Sequence, residues 1–116
     1  MCRALTVLCA APGREALGEL KRAAVSASWE LVGGASSAGE LVRQLEDLEP
    51  DVVVVDAGLR GVDVAEIRRI RPRARVLAVG SLDGADREAP DLNGVREGIL
   101  GVPPVGGPVR GPGRPG

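Results

Sequence analysis

The stretch Asp51-Val52-Val53-Val54-Val55-Asp56, followed by Ala57-Gly58-Leu59-Arg60-Gly61, decides the fold. Four consecutive valines leave no polar face, so we predict a central strand buried on both sides, as in a parallel sheet covered by helices. Asp56 stands where this strand ends and a glycine-containing loop begins. Because ligands of open α/β sheets bind beyond the carboxyl ends of the strands, Asp56 is a candidate functional residue.

Length and composition narrow the class of protein. The 116 residues suffice for one small domain with a single core. Trp29 is the only aromatic residue and the net charge is −1, so neither base stacking nor charge favours nucleic-acid binding. The chain has no histidine, which removes the commonest general base and most zinc sites. Five arginines between Arg68 and Arg75 are interpreted as a solvated helix end rather than a nucleic-acid patch.

The two cysteines and the apolar segments indicate the cellular compartment of the protein. Cys2 and Cys9 lack the spacing of a metal or redox pair, and Cys9 lies in an apolar strand, where we expect a buried, unreactive thiol. The opening residues have no signal-peptide pattern, and no segment has the length of a membrane span. We therefore expect a cytoplasmic protein that does not bind membranes.

Apolar strands alternate with amphipathic helices along the chain. The predicted strands are 4–10, 29–33, 51–56, 75–79 and 98–102. The predicted helices are 13–26, 38–49, 64–71 and a poorly patterned 82–93, which Gly84 and Pro90 interrupt. Ser37 and Glu40 form a capping-box pattern, and Asp63 is a similar helix cap. This order predicts an α/β domain with a parallel sheet.

With this order and Asp56 in place, the chain resembles the receiver domain of two-component response regulators, the CheY-like superfamily. The resemblance covers about Arg3 to Pro103, and its most specific parts are residues 49–56, 58–63 and 68–71. It implies a flavodoxin-like, doubly wound parallel sheet of five strands in the order 2-1-3-4-5. It also places Asp56 at the family's phosphoacceptor position.

The resemblance fails at the residues that hold Mg²⁺ and the phosphoryl group. The family has an acidic pair after its first strand, because a hard cation needs carboxylate oxygens. This chain has Ala10 and Ala11 there. The family's Ser or Thr after strand four falls on Gly80, although the neighbouring Ser81 is a candidate phosphate contact. A turn or cap residue is the alternative interpretation of Ser81.

The C-terminal part also departs from the family. The family's lysine at the end of strand five falls at about Val102, and the only lysine is Lys21 in the first predicted helix. The aromatic switch has no counterpart, since the chain has no Tyr or Phe. Ten of the fourteen residues from Pro103 to Gly116 are Pro or Gly. We therefore predict a receiver-like domain at 1–103, with the last helix missing or replaced by a disordered tail at 104–116.

These departures predict a pseudo-receiver, a non-enzymatic signalling domain without catalytic residues, metal site or cofactor, in which Asp56 is a relic carboxylate. We expect protein partners, with a histidine kinase or an effector protein as candidates, and neither nucleic acid nor membrane. One alternative is a working single-domain response regulator phosphorylated at Asp56 with Mg²⁺. Others are the truncated N-terminal part of a DNA-binding regulator and a homodimeric scaffold. The Ala-, Gly- and Arg-rich composition suggests a high-GC bacterium.

Overall fold

A computed structural model gives the structure of residues 5–101. Its five strands are β1 (Leu5–Ala10), β2 (Trp29–Ala35), β3 (Val52–Asp56), β4 (Arg75–Val79) and β5 (Arg87–Ala89). They form one sheet in the order β2-β1-β3-β4-β5, and every neighbouring pair is parallel. This arrangement confirms the predicted flavodoxin-like sheet. The predicted tail at 104–116 and strand residues Ala4 and Val102 lie outside the described residues.

Four helices cover this sheet. They are α1 (Arg14–Ala24), α2 (Ala38–Leu48), α3 (Val64–Ile70) and α4 (Val95–Gly101), the last preceded by a 3₁₀ turn at Leu92–Gly94. Residues of α1 and α4 pack with one sheet face, and residues of α2 and α3 pack with the other. Within residues 5–101, no helix combines the length and the apolar character that crossing a membrane requires.

The valines of β3 form the centre of the core. All four are buried, and they alternate between the two faces as a pleated strand requires. Val52 and Val54 belong to the apolar cluster of α1 and α4, whereas Val53 and Val55 belong to that of α2 and α3. The prediction of a strand buried on both sides is therefore confirmed.

The second strand is longer than predicted, because β2 continues through Gly33 and Gly34 to Ala35. A β-carbon on Gly33 would lie 2.8 Å from Leu48 Cδ1 of α2. A β-carbon on Gly34 would lie 2.5 Å from Lys21 Cε of α1. The two glycines therefore do not end the strand, but make room for long side chains from the helices on its opposite faces.

The predicted helix caps are present with one difference. Ser37 Oγ accepts a hydrogen bond from the Glu40 amide at 3.2 Å, and Asp63 Oδ1 accepts one from the Ala65 amide at 3.0 Å. Glu40, however, reaches one residue further back than a capping box requires. Its Oε1 accepts the Ser36 amide (2.7 Å) and hydroxyl (3.1 Å), and these bonds lower the pKa of Glu40.

The sequence misplaced the helix and the strand that it predicted after β4. The predicted helix at 82–93 contains β5 at Arg87–Ala89, and residues 98–101 of the predicted fifth strand are helical. Val95, Gly98 and Ile99 are the buried residues of α4, at the spacing of one helix face. A short apolar run does not distinguish a strand from a helix, which explains the error. The helix predicted to be missing after strand five is present as α4.

Gly98 makes the contact of α4 with the sheet close. A β-carbon there would lie 2.8 Å from both Leu77 Cδ1 and Leu77 Cδ2, and Leu77 is buried in β4. Gly18 in α1 is the contrasting case, since its β-carbon would meet only Arg22 Nη1 at 3.7 Å. Because both positions are helical, a Gly→Ala substitution has the same effect on helix propensity at each, and only the space for the added methyl group differs.

We predict that Gly98→Ala lowers the free energy of unfolding and that Gly18→Ala raises it. Alanine gains about 1 kcal/mol of helix propensity over glycine. Overpacking a core costs about 1–3 kcal/mol, so the clash with Leu77 outweighs this gain at Gly98 but has no counterpart at Gly18. Urea unfolding followed by the fluorescence of buried Trp29 measures both changes. A Gly98→Ala variant as stable as Gly18→Ala would contradict the packing of α4.

The Cys9 thiol provides a second test of the core. Cys9 is buried in β1, and burial raises its pKa to about 12, as expected for the unreactive thiol that the sequence predicts. In a Cys2→Ser variant, Cys9 is the only thiol. We expect it to resist iodoacetamide at pH 8 in the folded protein and to react once urea unfolds the chain. Rapid alkylation without urea would show that β1 is not buried.

Candidate functional site

The candidate site lies at the edge of the sheet formed by the carboxyl ends of the strands. Asp56 is the last residue of β3 and is paired in register with Val79 at the end of β4. On the other side, Ala10 at the end of β1 is paired with Val55. Asp56 is half-buried, whereas the four valines before it are buried. The strand therefore brings this carboxylate to the surface where the resemblance predicts a phosphoacceptor.

The carboxylate of Asp56 is held by its own loop. Its Oδ1 accepts a hydrogen bond from the Gly58 amide at 2.8 Å, and its carbonyl accepts one from the Leu59 amide at 2.9 Å. This is a local turn in which an aspartate oxygen replaces a backbone acceptor. A β-carbon on Gly58 would lie 3.3 Å from Asp56 Oδ1 and 3.7 Å from Pro12 Cγ, so the loop after β1 stands beside this turn.

The loop after β1 supplies no acid to this site. Ala10 and Ala11 are buried, and the Ala11 amide donates to the Ala35 carbonyl of β2 at 3.0 Å. The nearest acid in sequence, Glu15, is exposed in the first turn of α1. No group of three metal-ligating side chains occurs within residues 5–101. A hard cation such as Mg²⁺ prefers carboxylate oxygens, so this donor set does not fit one at Asp56.

The end of β4 cannot easily carry the family's hydroxyl. Gly80 has a φ of +101°, which disfavours any residue with a β-carbon, and a β-carbon there would lie 3.1 Å from that of Ala57. Ser81, the candidate phosphate contact, is exposed. Within the described part of the chain, no hydrogen bond joins Ser81 to Asp56. The role of Ser81 stays a prediction.

The end of strand five lies at Ala89, which precedes Pro90, and not near Val102 as predicted. Ala89 is buried, and its carbonyl accepts a hydrogen bond from the Gly80 amide at 2.8 Å. The residue where the family has a lysine is therefore an alanine. Lys21 cannot replace the family's lysine, because its side chain lies over Gly34 of β2, and β2 and β5 are at opposite edges of the sheet.

The arginine run has structural roles that the sequence did not reveal. Arg71 donates to the last-turn carbonyls of α2, through Nε to Leu45 (2.6 Å) and through Nη2 to Glu46 (2.6 Å). Arg68 and Arg75 both contact Asp86. Arg69 and Arg73 are exposed, so the predicted solvated helix end describes only these two. The partners are distant in sequence, and no local pattern could have identified them.

Asp51 is likewise a structural residue. Its Oδ2 accepts hydrogen bonds from the Thr6 amide (2.8 Å) and the Thr6 hydroxyl (3.0 Å), and its amide donates back to the Thr6 carbonyl. The Asp51 carbonyl accepts from the Arg75 amide at 2.9 Å. Asp51 therefore connects the starts of β1, β3 and β4, at the edge opposite Asp56.

No protein-family model and no curated protein matches the sequence. Several solved structures are similar to this chain. The response regulator domain of CheB from Thermotoga maritima is 25% identical with a TM-score of 0.56, over 72% of this chain and 66% of that domain. A chain from the CheX–CheY–BeF₃–Mg²⁺ complex of Borrelia burgdorferi is 18% identical with a TM-score of 0.70, over 84% and 88%.

The non-phosphorylated receiver domain of the stress response regulator RcsB from Escherichia coli is also similar in structure. It is 14% identical with a TM-score of 0.65, and the match covers 84% of this chain and 88% of that domain. The five-stranded order of the sheet agrees with these similarities. This protein therefore has the fold of the response-regulator receiver domains, the CheY-like form of the flavodoxin fold.

Proposed function

We propose that this chain is a receiver-type signalling domain that acts through protein partners without a Mg²⁺-dependent phosphorylation cycle. The observation that carries the proposal is the pair of buried alanines, Ala10 and Ala11, at the end of β1, which is paired with β3 next to Asp56. In receivers this place holds the acids that bind the cation. The domain would then signal by binding, and not as an enzyme.

The chemistry of phosphoryl transfer explains why the alanines matter. An anionic carboxylate attacks an anionic phosphate poorly unless a metal or a cationic side chain neutralises the developing charge. Here Ala89 stands at the end of β5, and the backbone of Gly80 disfavours a hydroxyl-bearing residue. One oxygen of Asp56 already accepts a hydrogen bond from Gly58. The groups that would stabilise a phosphoryl group are thus replaced at each of these positions.

The partners follow from the same proposal. The similar Borrelia burgdorferi structure is a complex of CheX with CheY, so a protein of this fold forms a complex with another protein. We infer that this chain also binds proteins, with a histidine kinase or an effector protein as the candidates. The absence of nucleic-acid binding, the absence of membrane binding and a cytoplasmic location are parts of this proposal.

A working receiver is the second candidate, and one observation favours it. Asp56 is half-buried at the carboxyl end of the central strand, where the resemblance implies a phosphoacceptor. A cation held by one carboxylate, water and the phosphodonor itself would be the minimum arrangement for its phosphorylation.

We predict that acetyl phosphate with Mg²⁺ adds no phosphoryl group to this protein. Intact-mass spectrometry measures the adduct, and a receiver domain with a complete acidic pair, treated in parallel, shows that the donor is active. Asp56→Asn is the matched variant, since it removes the nucleophile while keeping the shape of the side chain. A phosphoryl adduct on the wild type that disappears in Asp56→Asn would establish the working receiver and overturn the proposal.

A further inference from the structure

The connection between β4 and β5 is unusually short for parallel strands. Residues 80–86, here called the crossover, link the two strands without a helix, whereas such a connection usually needs about a dozen residues or more. Gly80 and Gly84 in the crossover have φ values of +101° and +86°. Leu82 and Ala85 pack against the core cluster of α2 and α3, but both are only half-buried.

Charged side chains hold the crossover in place. Arg68 of α3 donates through Nη2 to the Gly84 carbonyl at 2.6 Å and to Asp86 Oδ1 at 3.1 Å. Arg75 Nη1 lies 3.6 Å from the same carboxylate oxygen. The other oxygen, Asp86 Oδ2, accepts the Val76 amide at 2.8 Å. One carboxylate therefore contacts two guanidinium groups and accepts a backbone amide, while the buried Arg75 Nε has no hydrogen-bond partner within residues 5–101.

The Asp86 carboxylate is better shielded than a surface ion pair. Its side chain is 13% exposed, against 35% for Arg68 and 19% for Arg75. Because Arg68 is about one third exposed, concentrated salt still screens its attraction to Asp86, although less than in a fully exposed pair. Removal of either interaction would leave charge without its partner in a partly buried place, which is costly.

The strand beyond the crossover adds little apolar packing of its own. β5 has three residues and lies at the edge of the sheet that residues 5–101 form, paired there only with β4. Two of these residues, Arg87 and Glu88, are exposed, and only Ala89 is buried. Glu88 Oε2 accepts a hydrogen bond from the Leu82 amide at 3.1 Å, which is a further polar contact with the crossover.

We propose that Arg68, Arg75 and Asp86 form a latch, whose release opens the crossover and β5 while the rest of the domain stays folded. The central strands bury most of their side chains in the apolar clusters, whereas this edge adds only Ala89 and the half-buried Leu82 and Ala85. It therefore depends more on the charged contacts of Asp86, and its local free energy of opening is lower. The latch is a conformational device: it determines whether the edge of β4 next to β5 is covered or accessible.

Hydrogen exchange measured by mass spectrometry tests the latch on the full chain. We expect Arg68→Gln to speed amide exchange in residues 80–89 by about tenfold or more, with exchange in β1 and β3 unchanged. Arg69→Gln is the matched control, because the Arg69 side chain is exposed and, within residues 5–101, is bonded only to Glu66, at 3.4 Å. It should leave exchange at both places as in the wild type.

A salt series on the wild type tests the latch without a substitution. Raising NaCl from about 0.1 M to about 1 M shortens the Debye length from about 10 Å to about 3 Å. We expect faster exchange in residues 80–89 only. If Trp29 fluorescence shows that Arg68→Gln is unfolded, the salt series is the test of the proposal. Exchange that stays constant in residues 80–89, or that rises equally in β1 and β3, would overturn the proposal.

Discussion

Burial of β3 on both faces is the constraint on which the rest of the structure depends. The range Val52–Val55 presents no polar side, so helices must cover the sheet from above and below. Because the helices connect the strands in parallel, the carboxyl ends of all strands lie at the same edge of the sheet. Asp56 reaches that edge because it is the first residue after the valines. Its position is thus a consequence of packing, whatever chemistry the neighbouring loops supply.

The sheet is completed at β5 by a different kind of force. Elsewhere, apolar side chains from two helix layers cover each strand, and the free energy comes from area removed from water. At the crossover 80–86 no helix is available, and a carboxylate shared by two guanidinium groups takes its place. Removing one partner of such a contact leaves the other charge without a counterion, whereas apolar burial is spread over many side chains. The two ends of the sheet therefore differ in how they respond to salt and substitution.

The strand ends around the candidate site carry few polar side chains. The residues at the ends of three other strands are small and without charge: Ala10 at the end of β1, Gly80 after β4 and Ala89 at the end of β5. The change at Gly80 involves the main chain as well, since its φ of +101° disfavours any residue with a β-carbon. A hydroxyl-bearing side chain at position 80 would thus require a different main-chain conformation as well.

The sequence alone determined the buried central strand and the position of Asp56 at its end, since these follow from a continuous apolar run and the residue after it. The sheet order and the place of the missing acidic pair came from the resemblance to receiver domains. The sequence misplaced the fifth strand, because Arg87–Ala89 is too short to have a period and the apolar run after Gly98 fits a helix as well as a strand. Only the tertiary structure decided that Asp86 joins Arg68 and Arg75. Contacts between residues far apart in the chain depend on how the elements pack, and no local pattern records them.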